Sequence, residues 1–289
     1  MPELPEVETV RAGLQTFIVG KVVSAVDADT VKSFPNAPSD VKQFLINASI
    51  VAVRRRAKVL LIDLDTNYSL MIHLKMTGQL VFVGAERFGA GHPNDSLVGQ
   101  LPDRSTRVTL TFSDDSHLYF NDQRKFGWMK LLPTIEIPNV DFMKKVGPEP
   151  LSADFTVDQF TARFMRRAKT SIKAALLDQT VIAGVGNIYA DESLWGAKIH
   201  PLQPVGSLTP DDFARLFTEL RAVMNLAIEK GGSTDKNYIN AEGKRGSYMD
   251  FARVFRREGL PCPRCGTTII KFKAAGRGTH ICPHCQQLV

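Results

Sequence analysis

Four cysteines fall in the last 28 residues of the chain, as Cys262-Pro-Arg-Cys265 and Cys282-Pro-His-Cys285 with sixteen residues between the pairs. Two Cys-x-x-Cys turns supply four thiolates, enough to close a tetrahedron around Zn²⁺ and leave no open position for catalysis. Disulfides or a redox dithiol fit the symmetry of the pairs and a reducing compartment less well. The expectation is one structural zinc ion on Cys262, Cys265, Cys282 and Cys285. At the other end the chain opens MPELPEV. Pro5 at the first helical position, with Glu6 and Glu8 in the first turn, reads as a helix start. The Pro2-Glu3 pair leaves a second reading open, in which the terminus itself is chemistry.

Three further stretches carry reactive or binding residue types. Ala183-Gly184-Val185-Gly186-Asn187-Ile188 is a glycine-rich turn opening a helix, a geometry that turns backbone N–H groups toward a phosphate and places Asn187 as a side-chain donor. It serves equally as a plain tight turn, and the dinucleotide fingerprint fails because no strand precedes it. His73-Leu74-Lys75-Met76-Thr77-Gly78 and Asp122-Gln123-Arg124-Lys125-Phe126-Gly127 each set an apolar side chain among cations. Taken singly, Met76 and Phe126 read as core. Taken together, they suit wedges that enter a base stack and fill the gap left by an extruded nucleotide, with Arg124 facing the orphaned base.

The charge pattern points the same way. The formal net charge is +6 over 289 residues, and from Phe251 onward seven basic residues face one acid, Glu258. Other basic clusters are Arg54-Arg55-Arg56-Ala57-Lys58, Arg124-Lys125, and Arg163, Arg166, Arg167 and Lys169. Several separate clusters make a nucleic-acid partner as good a reading as a merely solvated face. No apolar run approaches the roughly eighteen residues of a membrane span, and the N-terminus lacks the basic and apolar regions of a signal peptide. The cytoplasm or nucleoid is therefore the expected compartment.

The elements that must position these residues change character along the chain. Val7 to Ile18 has helical spacing and stops at Gly20. Lys21 to Asp27, Ile50 to Asp63, Ser69 to Val83, Arg107 to Phe112, His117 to Phe120 and Trp128 to Leu132 alternate and are β-branched, with turn signals between them. They predict a sandwich or barrel. Gly84 to Ser105 reads as a long loop, and the aperiodic stretch Pro133 to Pro138 opens a linker. Helices are expected over Val157 to Arg167, Ser171 to Gln179, Ile188 to Trp195 and Pro210 to Lys230. The last has Thr209 as N-cap and Gly231 as its stop. The cysteines should hold a β-hairpin, with Thr267 to Phe272 as first strand, Gly276 to Ile281 leading into the second, and the tip at Ala274 to Gly278.

In order and from end to end, MPELPEVETV, Arg55-Arg56-Ala57-Lys58, HLKMTG, NDQRKFG, GPEPL at 147 to 151, AGVGNIYADESL and GRGTHICPHCQ resemble the bacterial formamidopyrimidine-DNA glycosylases. The resemblance implies an α+β multidomain fold. It comprises an N-terminal β-sandwich with a leading helix over 1–135, a linker over 136–150, a helix-two-turn-helix domain with a lesion-recognition loop over 151–250, and a zinc finger over 251–289. It also implies a monomer that acts on double-stranded DNA containing oxidised bases or abasic sites, excises oxidised purines in base-excision repair, and then cleaves the strand.

The same resemblance assigns roles. With Met1 removed, Pro2 presents a secondary amine, and an α-amino group of pKa about 8 is more easily neutral at pH 7 than a lysine near 10.4. By resemblance Pro2 attacks the deoxyribose C1′, Glu3 moves protons at the sugar, and Lys58 serves as proton donor for β-elimination. Arg277, on the hairpin tip, contacts the lesion phosphates and assists δ-elimination. Lys173 and Asn187 match phosphate contacts, as do Arg167 and Lys169 on a face that reads equally as solvated surface. His73, Met76, Arg124 and Phe126 match DNA contacts at the lesion. Two departures stand out: Ser105 occupies a position where many members carry a DNA-contacting histidine, and the loop GGSTDKNYINAEGKRGSYMD diverges apart from its glycines and the Gly-Lys-x-Gly turn. The competing readings are an endonuclease VIII-like enzyme for oxidised pyrimidines and a catalytically silent zinc-ribbon DNA-binding protein. The Leu4-Pro5 start with Met76, Arg124 and Phe126 speaks against the first, and intact Pro2, Glu3 and Lys58 against the second.

Overall fold

Helix α1 (Leu4–Ile18) starts one turn earlier than its apolar periodicity suggests, because Glu3 is the N-cap and Pro5 the second helical residue. The computed structural model describes residues 2–233 and 247–288. Among these, residues 2–144 with 230–233 and 247 form one compact unit, and 145–229 with 248–288 form a second. The wholly apolar face of α1, with Val7, Val10, Leu14 and Ile18 at 0% exposure, is the centre of the first unit's core.

Around α1 stand two antiparallel sheets. The first runs in the order β1 (Val23–Ala28), β7 (Thr106–Phe112), β8 (His117–Asp122), β5 (Gly78–Val83), β6 (Arg87–Gly91). The second runs β2 (Ile50–Arg56), β3 (Val59–Leu64), β4 (Tyr68–His73), β9 (Trp128–Pro133). Leu60, Ile62, Leu70 and Ile72 of the second sheet share one buried cluster with Leu80, Phe82, Leu110 and Phe120 of the first. This is the expected sandwich with a leading helix.

The single strands expected over Ile50 to Asp63 and Ser69 to Val83 are each two strands. Ala57 and Lys58 turn β2 into β3, with Arg56 paired to Val59, while Leu74 to Thr77 carries the chain from one sheet to the other. The expected loop Gly84 to Ser105 contains β6 and a 3-10 turn, Asp95–Leu97. Strand β6 has the sequence RFGAG, without a β-branched residue, so only pairing with β5 defines it. Helix α2 (Pro38–Phe44) buries no residue, which explains its missing periodicity. The first part of the expected linker is ordered as a 3-10 segment, Thr134–Asn139, and α3 (Asp141–Lys145). There Ile137, Val140, Phe142 and Met143 cover Val59, Leu61, Met71 and Leu132.

The second unit holds α4 (Val157–Met165), α5 (Ile172–Leu177), α6 (Asn187–Ala197), α7 (Pro210–Glu229), and a hairpin of β10 (Ile270–Ala274) and β11 (Arg277–Ile281). Thr156 and Gln159 close a capping box on α4, whose Phe160 meets Phe164, Phe213 and Phe217. Gln179 staples the double turn between α5 and α6 by donating to Val185 O (2.8 Å) and accepting from Gly184 N (3.0 Å). The cysteine segment is not separate from the helices: Cys262, Ile269 and Cys282 are buried with Trp195 of α6 and Val254. The first hairpin strand begins and ends slightly later than expected, the second begins one residue later and ends at Ile281 as expected, and the two-residue turn is Ala275 (φ 49°) and Gly276 (φ 70°). Two left-handed residues in succession match the twist of a tight hairpin, which is why the second is glycine.

Candidate active site and nucleic-acid interface

In the first unit the terminus is built into the core. Pro2 and Glu3 are buried, and the Glu3 N–H donates to Glu6 Oε2 at 2.7 Å. The other oxygen of Glu6 accepts from Ser233 N at 2.7 Å. Glu6, valued in the sequence only as a first-turn acid, therefore holds both the N-cap and the residue after Gly231-Gly232. The recognition loop expected over 231–248 lies largely outside the described residues, as does Met1.

Helix α1 lies antiparallel to β2. Gln15 accepts from Val53 N at 3.0 Å, and Glu8 receives Arg55 Nε at 2.9 Å. The N-terminus of α1 is thereby directed toward the Ala57-Lys58 turn. Arg55 closes the link, since its Nη1 also donates to Ala57 O at 3.0 Å. Ala57 sits at φ 54°, a conformation costing a residue with a Cβ about 1–2 kcal/mol. That strain is held in place by Arg55 and by the sheet. Lys58 is 5% exposed. Its neighbour Val59 pairs with His73, which in turn pairs with Trp128, so Lys58 and His73 share one end of the second sheet.

His73 is buried against Trp128 and Phe142, and its Nδ1 accepts from Lys75 N at 3.0 Å. Burial first, then the charges of Lys75 and Lys58, push its pKa down to about 3. The ring is neutral, and with Nδ1 an acceptor the proton is on Nε2. His73 is thus a hydrogen-bond donor without being a cation.

Met76 and Phe126 are not core. Met76 is half-buried, Phe126 is 47% exposed, and Arg124 is exposed. Their two loops are joined by Asp122. One carboxylate oxygen takes the Thr77 hydroxyl and Arg124 N (3.1 Å), and the other takes Phe126 N (2.8 Å) and Gly127 N (2.7 Å). Gly127 is required here, because a Cβ would stand 2.6 Å from the Phe120 ring. The Arg124 guanidinium lies 4.8 Å from the centre of the Phe126 ring and Lys32 Nζ lies 5.7 Å from it. The exposed ring is flanked by two cations. Asp122, the second residue of the NDQRKFG motif, is the organiser that the motif's pattern does not reveal. Ser105 is buried and engaged with Asp103 and Ser96.

In the second unit the expectations divide. Arg277 is exposed at the start of β11 and Lys169 is exposed before α5. Arg167 is half-exposed and bridges Asp178 at 3.1 Å, an interaction worth little at a surface and easily exchanged. Lys173 is a correction: its ammonium is 0% exposed, held by Asp191 Oδ1 at 2.5 Å and Thr279 Oγ1 at 2.7 Å, so burial keeps it from a phosphate. Asn187 is the first residue of α6, one before the expected start, and its Nδ2 donates to Gly278 O of the hairpin at 2.9 Å.

Glu192, beside Asp191, is a second fully buried acid that sequence reasoning missed. It accepts from Arg253 N (2.9 Å), Val254 N (2.9 Å), Phe255 N (2.8 Å) and the Tyr248 hydroxyl (3.0 Å). Three successive backbone N–H groups around one carboxylate form an anion nest that fixes the entry to the cysteine segment. Burial and Glu192 both raise the Tyr248 pKa, keeping it a donor. The visible signal was an acid pair in an otherwise apolar helix.

The four cysteine sulfurs lie within 4.8 Å of one another, with Cys265 Sγ 3.4 Å from Cys282 Sγ and 3.5 Å from Cys285 Sγ. A tetrahedron of thiolates about 2.3 Å from Zn²⁺ has edges near 3.8 Å. The donor set and its spacing fit one structural zinc ion.

Cation-flanked apolar tips and a cysteine-held hairpin with an exposed arginine suit a protein that binds nucleic acid. Comparison with known proteins makes the class specific. Residues 1–129 match the formamidopyrimidine-DNA glycosylase N-terminal domain, 146–238 its H2TH domain, and 259–288 the zinc finger found in FPG and IleRS. The chain is 40% identical to the formamidopyrimidine-DNA glycosylase of Pelotomaculum thermopropionicum, covering 100% of each, and 41% identical to that of Listeria innocua, covering 99% of this chain and 100% of the relative. The Lactococcus lactis Fpg in complex with abasic-site DNA superposes with TM-score 0.86 at 35% identity over 99% of both chains. MutM from Thermus thermophilus gives 0.84 at 36% over 100% of both. The chain belongs to the formamidopyrimidine-DNA glycosylase family.

Proposed function

We propose that this protein is a bifunctional DNA glycosylase of base-excision repair, removing 8-oxoguanine and formamidopyrimidines from duplex DNA and cutting the strand at the resulting site. The observation that carries the reading is the Glu3 N-cap beside Pro2, on a helix tied through Glu8 and Arg55 to the turn bearing Lys58.

With Met1 removed, the Pro2 nitrogen attacks C1′. The C1′–N bond of the damaged nucleoside breaks, and its electron pair leaves on the base, which takes up a proton. Glu3 carries protons at the sugar, and ring opening gives an iminium between Pro2 and C1′. That cation acidifies C2′–H: the proton leaves, the C3′–O bond breaks, and the 3′ phosphate departs, with Lys58 as proton donor. Arg277 holds phosphate for the second elimination, which releases the 5′ phosphate. Met76 and Phe126 fill the emptied stack, Arg124 meets the orphaned base, and His73, Arg167, Lys169 and Asn187 contact the backbone. Zinc, when bound, has a structural role and leaves the chemistry to the protein. A monomer working in the cytoplasm suits the reading, and among the described residues no helix is long and apolar enough to cross a membrane.

Borohydride trapping on an 8-oxoguanine duplex tests it. A covalent adduct should form and be abolished by Pro2→Gly or by retention of Met1. No adduct on any damaged duplex would overturn the reading, and an adduct confined to thymine glycol substrates would move the protein to the oxidised-pyrimidine branch.

A further inference from the structure

Three consecutive residues of β11, Gly278, Thr279 and His280, are pinned by groups presented from α5 and α6, and Thr279 in turn holds Arg277. The Arg277 carbonyl accepts the Thr279 hydroxyl at 3.1 Å, and that hydroxyl accepts from Lys173 Nζ at 2.7 Å. The Gly278 carbonyl accepts Asn187 Nδ2 at 2.9 Å. His280 N donates to Asp191 Oδ2 at 2.9 Å, and Asp191 Oδ1 takes Lys173 Nζ at 2.5 Å. Lys173, Asp191 and Thr279 are all 0% exposed.

Such a buried pair is poor value as a stability device, because apolar residues of similar volume commonly do as well. Its geometry suggests another use. The zinc ligand Cys282 lies five residues beyond Arg277, about 16 Å along a strand, so the metal fixes the base of the hairpin, and the tip end depends on its pairing with β10 and on the pins from α5 and α6. The residue at that tip is the exposed arginine.

We propose that Asp191, acting through Lys173 and Thr279, is a positioning residue that fixes the backbone of residues 277–280 and so aims Arg277. This rests on the role given to Arg277 above. Removing the Asp191 charge weakens the hold on Lys173, loosens the Thr279 hydroxyl, and with it the Arg277 carbonyl. Base excision and β-elimination, assigned to Pro2, Glu3 and Lys58, do not pass through this mount.

The test uses the zinc-loaded full chain on an abasic duplex, scoring δ- against β-elimination ends per borohydride-trapped molecule. Normalising to trapped enzyme removes any general loss of folded protein. Asp191→Asn should lower the δ/β ratio about tenfold, the size of one lost charged hydrogen bond, with β-elimination within about twofold of the parent. Thr279→Val should lower the ratio in the same direction and Thr279→Ser should restore it. If Asp191→Asn does not fold, the Thr279 pair decides. If Arg277→Ala changes the ratio while Asp191→Asn and Thr279→Val do not, the positioning role is wrong. If Arg277→Ala leaves the ratio unchanged, the role of Arg277 fails and takes the positioning role with it.

Discussion

Arg55 Nε meets the Glu8 carboxylate at 2.9 Å while Arg55 Nη1 donates to the Ala57 carbonyl at 3.0 Å, so one guanidinium spans the helix carrying Glu3 and the turn carrying Lys58. Lysine has a single ammonium and cannot reproduce this planar fork. Arg55→Lys should lower the single-turnover rate of strand cleavage on an abasic duplex by roughly tenfold while changing DNA affinity less than about twofold. The loss corresponds to about 1–2 kcal/mol, a charged hydrogen bond in a half-buried setting. Unchanged cleavage would show that the Ala57-Lys58 turn keeps its geometry without the bridge.

Asp122 makes a similar argument for the apolar tips. Its carboxylate accepts three backbone N–H groups and the Thr77 hydroxyl, with no donor of its own to place. In Asp122→Asn one oxygen becomes an NH₂ facing donors, which should cost about 1–3 kcal/mol of stability. Affinity for a lesion duplex, read by fluorescence anisotropy, should fall by about tenfold or more, whereas affinity for undamaged DNA should change little, since Phe126 matters only where a stack is open. An equal loss on both duplexes would argue against the wedge.

What was legible in the sequence was whatever depends on local pattern. The four cysteines, the leading helix and α7, with its Thr209-to-Asp212 cap and apolar stripe, depend on spacings within one segment, and the structure has them. What was illegible depends on partners distant in the chain. Strand β6 exists because β5 pairs with it. Lys173 looks like any basic helix residue until Asp191 and Thr279, 18 and 106 positions away, are found around its ammonium. Asp122 and Arg55 were visible as motif letters, but a motif does not say which carboxylate organises a loop and which cation braces a turn.

His73 gives a pH prediction with a definite sign. Its pKa falls from 6.5 to about 3 on folding, through burial and the nearby Lys75 and Lys58. Between those values the unfolded chain binds the extra proton, so this residue's contribution is fully present above pH 6.5 and is lost as pH falls toward 3. The slope is at most about 1.4 kcal/mol per pH unit. Urea titrations at pH 4.5, 5.5, 6.5 and 7.5 should show stability rising with pH, with a shallower acid limb in His73→Asn. Parallel limbs would mean that the ring takes up its proton in the folded state.

Metal removal separates the two ends of the hairpin. Without a cation nothing joins the four sulfurs of Cys262, Cys265, Cys282 and Cys285, so chelation should unravel the cysteine turns. The core around α1 contains none of these residues and should stay folded, its thermal transition unmoved. Chelated protein should then lose DNA affinity and δ-elimination together, because Arg277 no longer has a base to stand on. Restoring one equivalent of zinc should return both, and zinc-free protein that produced normal δ-elimination ends would show that the pins on residues 277–280 hold Arg277 without the metal.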